Sequence, residues 1–130
     1  LMKVTVAFQA MRILANHVYV IPPDSDLLIV NYAFKVISPR SVGHKQIDVF
    51  FASLAEAMGA RAIGIVLSGY NGDGTEGCKH IKAHGGKTFA QDMSAEVDGM
   101  PLSAQASGCV DFVLPLDKIP RKLKSLAAAL

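Results

Sequence analysis

The chain has 130 residues, enough to bury roughly two thirds of its unfolded surface in one core but too few for two. Thirteen basic and eleven acidic residues give a net charge of +2, which offers no broad basic field for nucleic acid or anionic lipid. The apolar runs fall far short of membrane-spanning length, and Leu1-Met2-Lys3-Val4-Thr5 lacks the features of a signal peptide, so a soluble, cytoplasmic protein is predicted.

In chain order, residues 3–8 alternate weakly and predict a short strand or an unsupported tail. Val18-Tyr19-Val20-Ile21 reads as a strand stopped by Pro22 and Pro23, which lack backbone donors. Leu27–Val30 and Phe34–Ile37 predict a hairpin joined by Asn31-Tyr32-Ala33, and residues 38–45 a polar loop. Apolar residues at Ile47, Phe50, Phe51, Leu54, Ala55 and Met58 keep a helical period that Gly59 ends. Ala62–Leu67 is continuously apolar, the pattern of a strand buried on both faces of a parallel sheet. A glycine-rich loop and a helix from about Thr75 to His84 follow. Thr88–Ala90 is a strand with Gln91 and Asp92 at its end. Asp98-Gly99-Met100-Pro101 opens a helix running to Gly108, Val110–Leu114 is a strand, and Ile119–Leu130 a final helix. Strands alternating with helices predict an α/β domain with right-handed crossovers.

The chemistry concentrates in Ser68-Gly69-Tyr70-Asn71-Gly72-Asp73-Gly74-Thr75-Glu76-Gly77, at the carboxyl end of a strand, where open α/β sheets place their sites. Two readings fit. Gly72, Gly74 and Gly77 satisfy GxGxxG, with Asp92 about 20 residues beyond, as in a dinucleotide site. Against this, Asp73 and Glu76 would set carboxylates beside a pyrophosphate. Alternatively Asp73 orients a histidine in a Ser-His-Asp triad, with loop N–H groups forming part of an oxyanion hole. Cys78 and Cys109 lack metal-ligand spacing, which predicts two reduced thiols, no metal and no cofactor. Lys118, Arg121, Lys122 and Lys124 predict a solvated helix face.

Five blocks in order resemble the CheB protein-glutamate methylesterase family: residues 18–23, Ile47–Ala55, Leu67-Ser68-Gly69 with Asp73-Gly74, Gly85-Gly86 to Gln91-Asp92, and Gly99-Met100-Pro101. The wording around Ile21, Asp48–Leu54 and Val110–Leu114 is most similar to the branch fused to a CheR-type methyltransferase. The resemblance implies a Rossmann-like, doubly wound, mostly parallel sheet with a β-hairpin. It implies hydrolysis of glutamate methyl esters on chemoreceptor helices, and in some members deamidation of glutamine. On the family's Thr/Ser-Gly-Met-Gly-x-Asp-Gly motif, the triad aspartate falls at Asp73. The methionine whose N–H helps hold the oxyanion falls at Tyr70, and the next glycine at Asn71, followed by Gly72. Ser68 matches a structural hydroxyl, and Gly69, Gly74, Gln91, Met100 and Pro101 match blocks at the site wall.

The family's GxSxGG nucleophile turn and Gln-His pair have no match in these residues. His17, His44, His80 and His84 read as surface or packing residues. The resemblance thus implies roughly the C-terminal two thirds of the family domain, lacking its first strands, carrying one triad member and inactive alone. Implied partners are methylated chemoreceptor helices, a fused or associated methyltransferase or receiver domain, and a second copy along an exposed sheet edge. The alternatives are a non-catalytic scaffold of the same fold and a dinucleotide-binding module.

Overall fold

The computed structural model describes residues 1–41 and 43–129; the predicted loop's Val42 and the last helix's Leu130 lie outside them. The weakly alternating start is a strand, β1 (Lys3–Val6), paired in parallel with β2 (His17–Val20). Residues 7–16 between them form no helix but run beside the hairpin strand β4 (Ala33–Ile37): Ala10 N–H donates to Phe34 O at 2.8 Å, Phe34 N–H to Met11 O at 2.8 Å, and Ile13 N–H to Tyr32 O at 3.0 Å. The hairpin itself pairs β3 (Asp26–Val30) with β4 in antiparallel register. Its loop is two residues, Asn31 and Tyr32, at φ of 52° and 59°, the double left-handed turn that matches strand twist. Ala33, predicted to be in the loop, is already in the strand.

Helix α1 (Gln46–Met58) is the spine of the molecule. Phe50 and Leu54 pack on Leu27, Ile29 and Phe34 of the hairpin, while Phe51 reaches Ile81 on one side and Val66, Cys78 and Ala104 on the other. The Phe51 ring fits because two glycines face it. A Cβ on Gly77 would stand 2.5 Å from Phe51 Cβ, and one on Gly64 2.6 Å from Ile81 Cδ1 and 3.0 Å from the Phe51 ring.

The second parallel sheet has the order β5 (Ile63–Val66), β6 (Lys87–Gln91), β7 (Phe112–Leu114). α2 (Thr75–Ala83) links β5 to β6, α3 (Gly99–Ala106) links β6 to β7, and α4 (Ile119–Ala129) follows β7. β6 is the buried centre. β5 departs from its expected burial on both faces: Gly64 and Val66 are buried, Ile63 and Ile65 only half-buried and Leu67 exposed. Among the described residues it pairs on one side only, which leaves its other edge open. β7 is shorter than the predicted strand Val110–Leu114: Asp111 N–H, just before it, still donates to Thr88 O at 3.0 Å and also meets Thr88 Oγ1 at 3.1 Å, while the Asp111 carboxylate accepts Thr88 N–H on Oδ2 at 2.9 Å. The basic helix face is not wholly solvated either, since Lys122 Nζ lies 4.6 Å from the Phe112 ring centroid, a cation–π contact. Both cysteines are free thiols, and burial pushes the Cys78 thiol up to about 12, so it is inert at neutral pH. No helix among the described residues is long and apolar enough to cross a membrane.

Burial works against ionisation of Asp111, but Lys82, in contact with Oδ1, and the Thr88 N–H hold its pKa below the usual carboxylate value. A depressed folded-state pKa contributes stability that is complete above the unfolded value of about 3.9 and lost as pH falls through the folded value. Asp111→Asn is therefore expected to flatten the acid limb of stability below about pH 4 in urea unfolding across pH. An acid limb identical to that of the parent would contradict the linkage.

Candidate functional site

β5 ends in a loop, residues 67–74, that is held from three directions. Ser68 N–H donates to Gln91 Oε1 at 3.0 Å; its hydroxyl donates to Val97 O at 3.1 Å and accepts Val97 N–H at 2.9 Å. Gly69 N–H donates to Val97 O at 2.8 Å, and Met100 N–H donates to Gly69 O at 2.9 Å. The Met100 thioether occupies the space that a Cβ on Gly69 would need. Gln91 is 4% exposed and its backbone carbonyl accepts Gln105 Nε2 at 3.2 Å. The Ser68 hydroxyl, the Gln91 side chain and Met100 thus brace the loop, and Pro101 is buried beside Met100 in α3. Thr75 and Ser103 join their hydroxyls at 2.7 Å and tie α2 to α3.

Asp73 follows in a side-chain turn, its N–H donating to Asn71 Oδ1 at 2.8 Å, with Asn71 at φ 62°. Asparagine is one of the few residues other than glycine that sits there at small cost. Asp73 is 6% exposed, and its carboxylate accepts Ile47 N–H on Oδ2 at 3.1 Å and Asp48 N–H on Oδ1 at 2.9 Å. These are donors in the first turn of α1, left without helical partners. Lys45, just before α1, provides no side-chain cap. The converse holds across the gap: Asp48 Oδ1 accepts Gly74 N–H at 2.9 Å and Gly77 N–H at 2.8 Å, capping α2, whose own N-cap, Gly74, has no side chain to do so. Each carboxylate therefore closes the other's helix.

Tyr70 is 77% exposed at the rim. The N–H groups of Tyr70, Asn71 and Gly72 meet no acceptor among the described residues. Among the described residues no histidine hydrogen-bonds to Asp73. His17 Nδ1 bonds to Ala15 O at 2.7 Å, His84 Nδ1 bonds to His80 O at 2.8 Å, and His44 and His80 are exposed. No group of three or more metal-ligating side chains forms among the described residues.

The loop geometry weighs against a dinucleotide. The Gly74 and Gly77 N–H groups, which a pyrophosphate would need, are already taken by Asp48, and Gly77 is pressed against Phe51. Asp48 is the polar side chain that sequence reasoning did not single out. Its signal was an acid in the first turn of a helix preceded by a lysine that cannot cap it.

Comparison with known proteins identifies the family and the fold. The CheB methylesterase family profile matches residues 1–123. The chain is 37% identical, over 96% of its length, to a protein-glutamate methylesterase/protein-glutamine glutaminase of Hydrogenovibrio crunogenus, of which it covers 35%. It is also 37% identical, over 90% of its length, to a putative protein of the same name from Leptospira interrogans, of which it covers 63%. The chain spans about a third of the length of several such relatives, including one from Vibrio vulnificus at 40% identity and 34% coverage. Its fold is similar to the crystal structure of the Thermotoga maritima CheB methylesterase catalytic domain, with a TM-score of 0.82 and 30% identity over 93% of this chain and 68% of that one. With the profile spanning nearly all of its residues, and with a mixed α/β fold similar to that of the CheB catalytic domain, the chain belongs to the CheB methylesterase family.

Proposed function

We propose that this chain is the Asp73-bearing part of a protein-glutamate methylesterase domain, whose serine and histidine come from a segment outside these residues. The observation that carries the reading is the Asp73 carboxylate: buried, fixed by two N–H groups of α1, and touching no histidine. Each oxygen accepts one hydrogen bond and keeps a lone pair, so the group can still accept an imidazole Nδ1–H.

In the completed site the serine Oγ attacks the ester carbonyl as the imidazole takes its proton. Asp73 fixes the tautomer and stabilises the imidazolium. The oxyanion falls to the backbone N–H groups of the Tyr70-Asn71-Gly72 turn, which are not engaged by the chain itself. The imidazolium returns its proton to the departing methoxide, releasing methanol. Water then attacks the acyl-serine with the same base, leaving a glutamate carboxylate. The relatives' names support glutamate methyl esters, and glutamine amides, as substrates. Methylated chemoreceptor helices are then the partner. A linked receiver or methyltransferase domain would regulate the activity.

The sheets support completion from outside. Val4 and Val6 on β1 stand beside Val18 and Val20 on β2, all on one face and 64%, 54%, 38% and 46% exposed. β2 and β5 each pair on one side only among the described residues. Such apolar faces and open edges are covered in a finished α/β domain. Methanol release from a methylated receptor peptide tests the reading. The 130-residue chain is expected to be silent, and the same chain extended upstream to include a GxSxGG turn and a Gln-His pair active. Hydrolysis by the chain alone would contradict it.

A further inference from the structure

We infer that Asp48 is a positioning residue for Asp73, setting the carboxylate that orients the catalytic histidine; the inference rests on the proposed esterase reading. Asp73 lies immediately before Gly74, whose N–H is held by Asp48 Oδ1, and Asp73 in turn holds the N–H of Asp48 itself. The two residues are therefore linked by a closed circuit: Asp48 main chain to Asp73 side chain, Asp73 main chain through Gly74 to Asp48 side chain. Neither half has a local substitute, because the residues before both helices lack side-chain caps. The loop around Asp73 has no regular pairing and contains two left-handed residues, Asn71 at φ 62° and Gly74 at φ 99°. Ser68, Gly69 and Asn71 hold the start of this turn, and at its Asp73 end the bonds from Gly74 and Gly77 to Asp48 tie it to α1.

Helix capping alone would need one oxygen, and Asp48 uses only Oδ1. Its Oδ2 is buried without a hydrogen-bond partner, and the nearest cation, Lys45 Nζ, is 3.9 Å away. A buried charge held on one oxygen is costly. It persists here at the one place where the N-termini of α1 and α2 face each other across Asp73. A displaced Asp73 would leave the imidazole without a fixed acceptor, and misplacement of a catalytic group by about 1 Å costs on the order of a hundredfold in rate.

A double-substitution cycle in the completed domain, with kcat corrected for the folded fraction, tests this. Asp48→Ala is expected to lower kcat about 30-fold with KM changed less than about twofold, and Asp48→Asn, which keeps an acceptor oxygen, to recover most of that loss. In an Asp73→Asn background Asp48→Ala is expected to cost nothing further, because its effect passes through Asp73. Multiplying effects would overturn the inference and leave Asp73 in its role. An Asp73→Asn variant with full activity would overturn the esterase assignment and the inference together. A readout free of catalysis uses the 130-residue chain. Asp48→Ala is expected to speed hydrogen exchange of the Ile47 amide, bonded to Asp73, about tenfold, the scale of a lost cap, with Phe89 unchanged. Faster exchange at Gly74 and Gly77 alone would mean that Asp48 caps α2 without holding Asp73, and would also overturn it.

Discussion

Asp73→Asn is expected to lower ester hydrolysis by the completed domain about 10⁴-fold in kcat, the scale set by tautomer loss in a serine-hydrolase triad. Two effects combine. An amide nitrogen presents hydrogens where the carboxylate presented lone pairs, so the imidazole can no longer be held with Nδ1 protonated. One of the two α1 donors, Ile47 N–H or Asp48 N–H, also loses its acceptor, a buried unsatisfied group costing about 1–3 kcal/mol. The activity loss should therefore come with a lowered melting temperature, and scoring rate per folded molecule separates the two. A kcat within about tenfold of the parent would place the orienting acid elsewhere.

The largest effect on stability is expected from Phe89→Ala. Phe89 lies in the central strand β6, has no exposed surface, and packs against Phe112 with ring centroids 5.0 Å apart. Truncating a buried phenylalanine to alanine costs about 3–5 kcal/mol, through lost transfer energy and the cavity left behind. Against a total of about 5–15 kcal/mol for a domain this size, the variant should lose about a fifth of the stability or more. Tyr70→Ala, at a position 77% exposed, is the matched comparison and should change stability by less than about 0.5 kcal/mol. Urea unfolding of the two variants against the parent decides the matter. Equal losses would mean that the core does not sit at β6.

The elements that local pattern specifies were legible. The hairpin, α1 with its Gly59 stop, the glycine-rich turn after β5 and the proline near the start of α3 stand where period and punctuation place them. Three features were hidden, each for a physical reason. Residues 3–8, read as a short strand or an unsupported tail, form the strand because β2 pairs with it, and no pattern within residues 3–8 reports that partner. Just before β7 the Asp111 carboxylate accepts the Thr88 N–H across the sheet, a contact between residues 23 apart in the chain. The mutual capping of α1 and α2 joins Asp48 and Asp73 over 25 residues, and reading the termini in isolation finds no capping side chain at either. Asp73 itself could be selected from its motif. That its carboxylate is held by α1 could not, because the bond depends on how two helices meet.

The structure of the completed domain is the most direct test of the central claim, that Asp73 is the orienting acid for a histidine supplied from outside these residues. The account predicts an imidazole Nδ1 about 2.7–2.9 Å from an Asp73 carboxylate oxygen, with the Ile47 and Asp48 N–H bonds still in place and a serine hydroxyl on the far ring nitrogen. A histidine oriented by another acceptor, with Asp73 serving only the helix it caps, would contradict it.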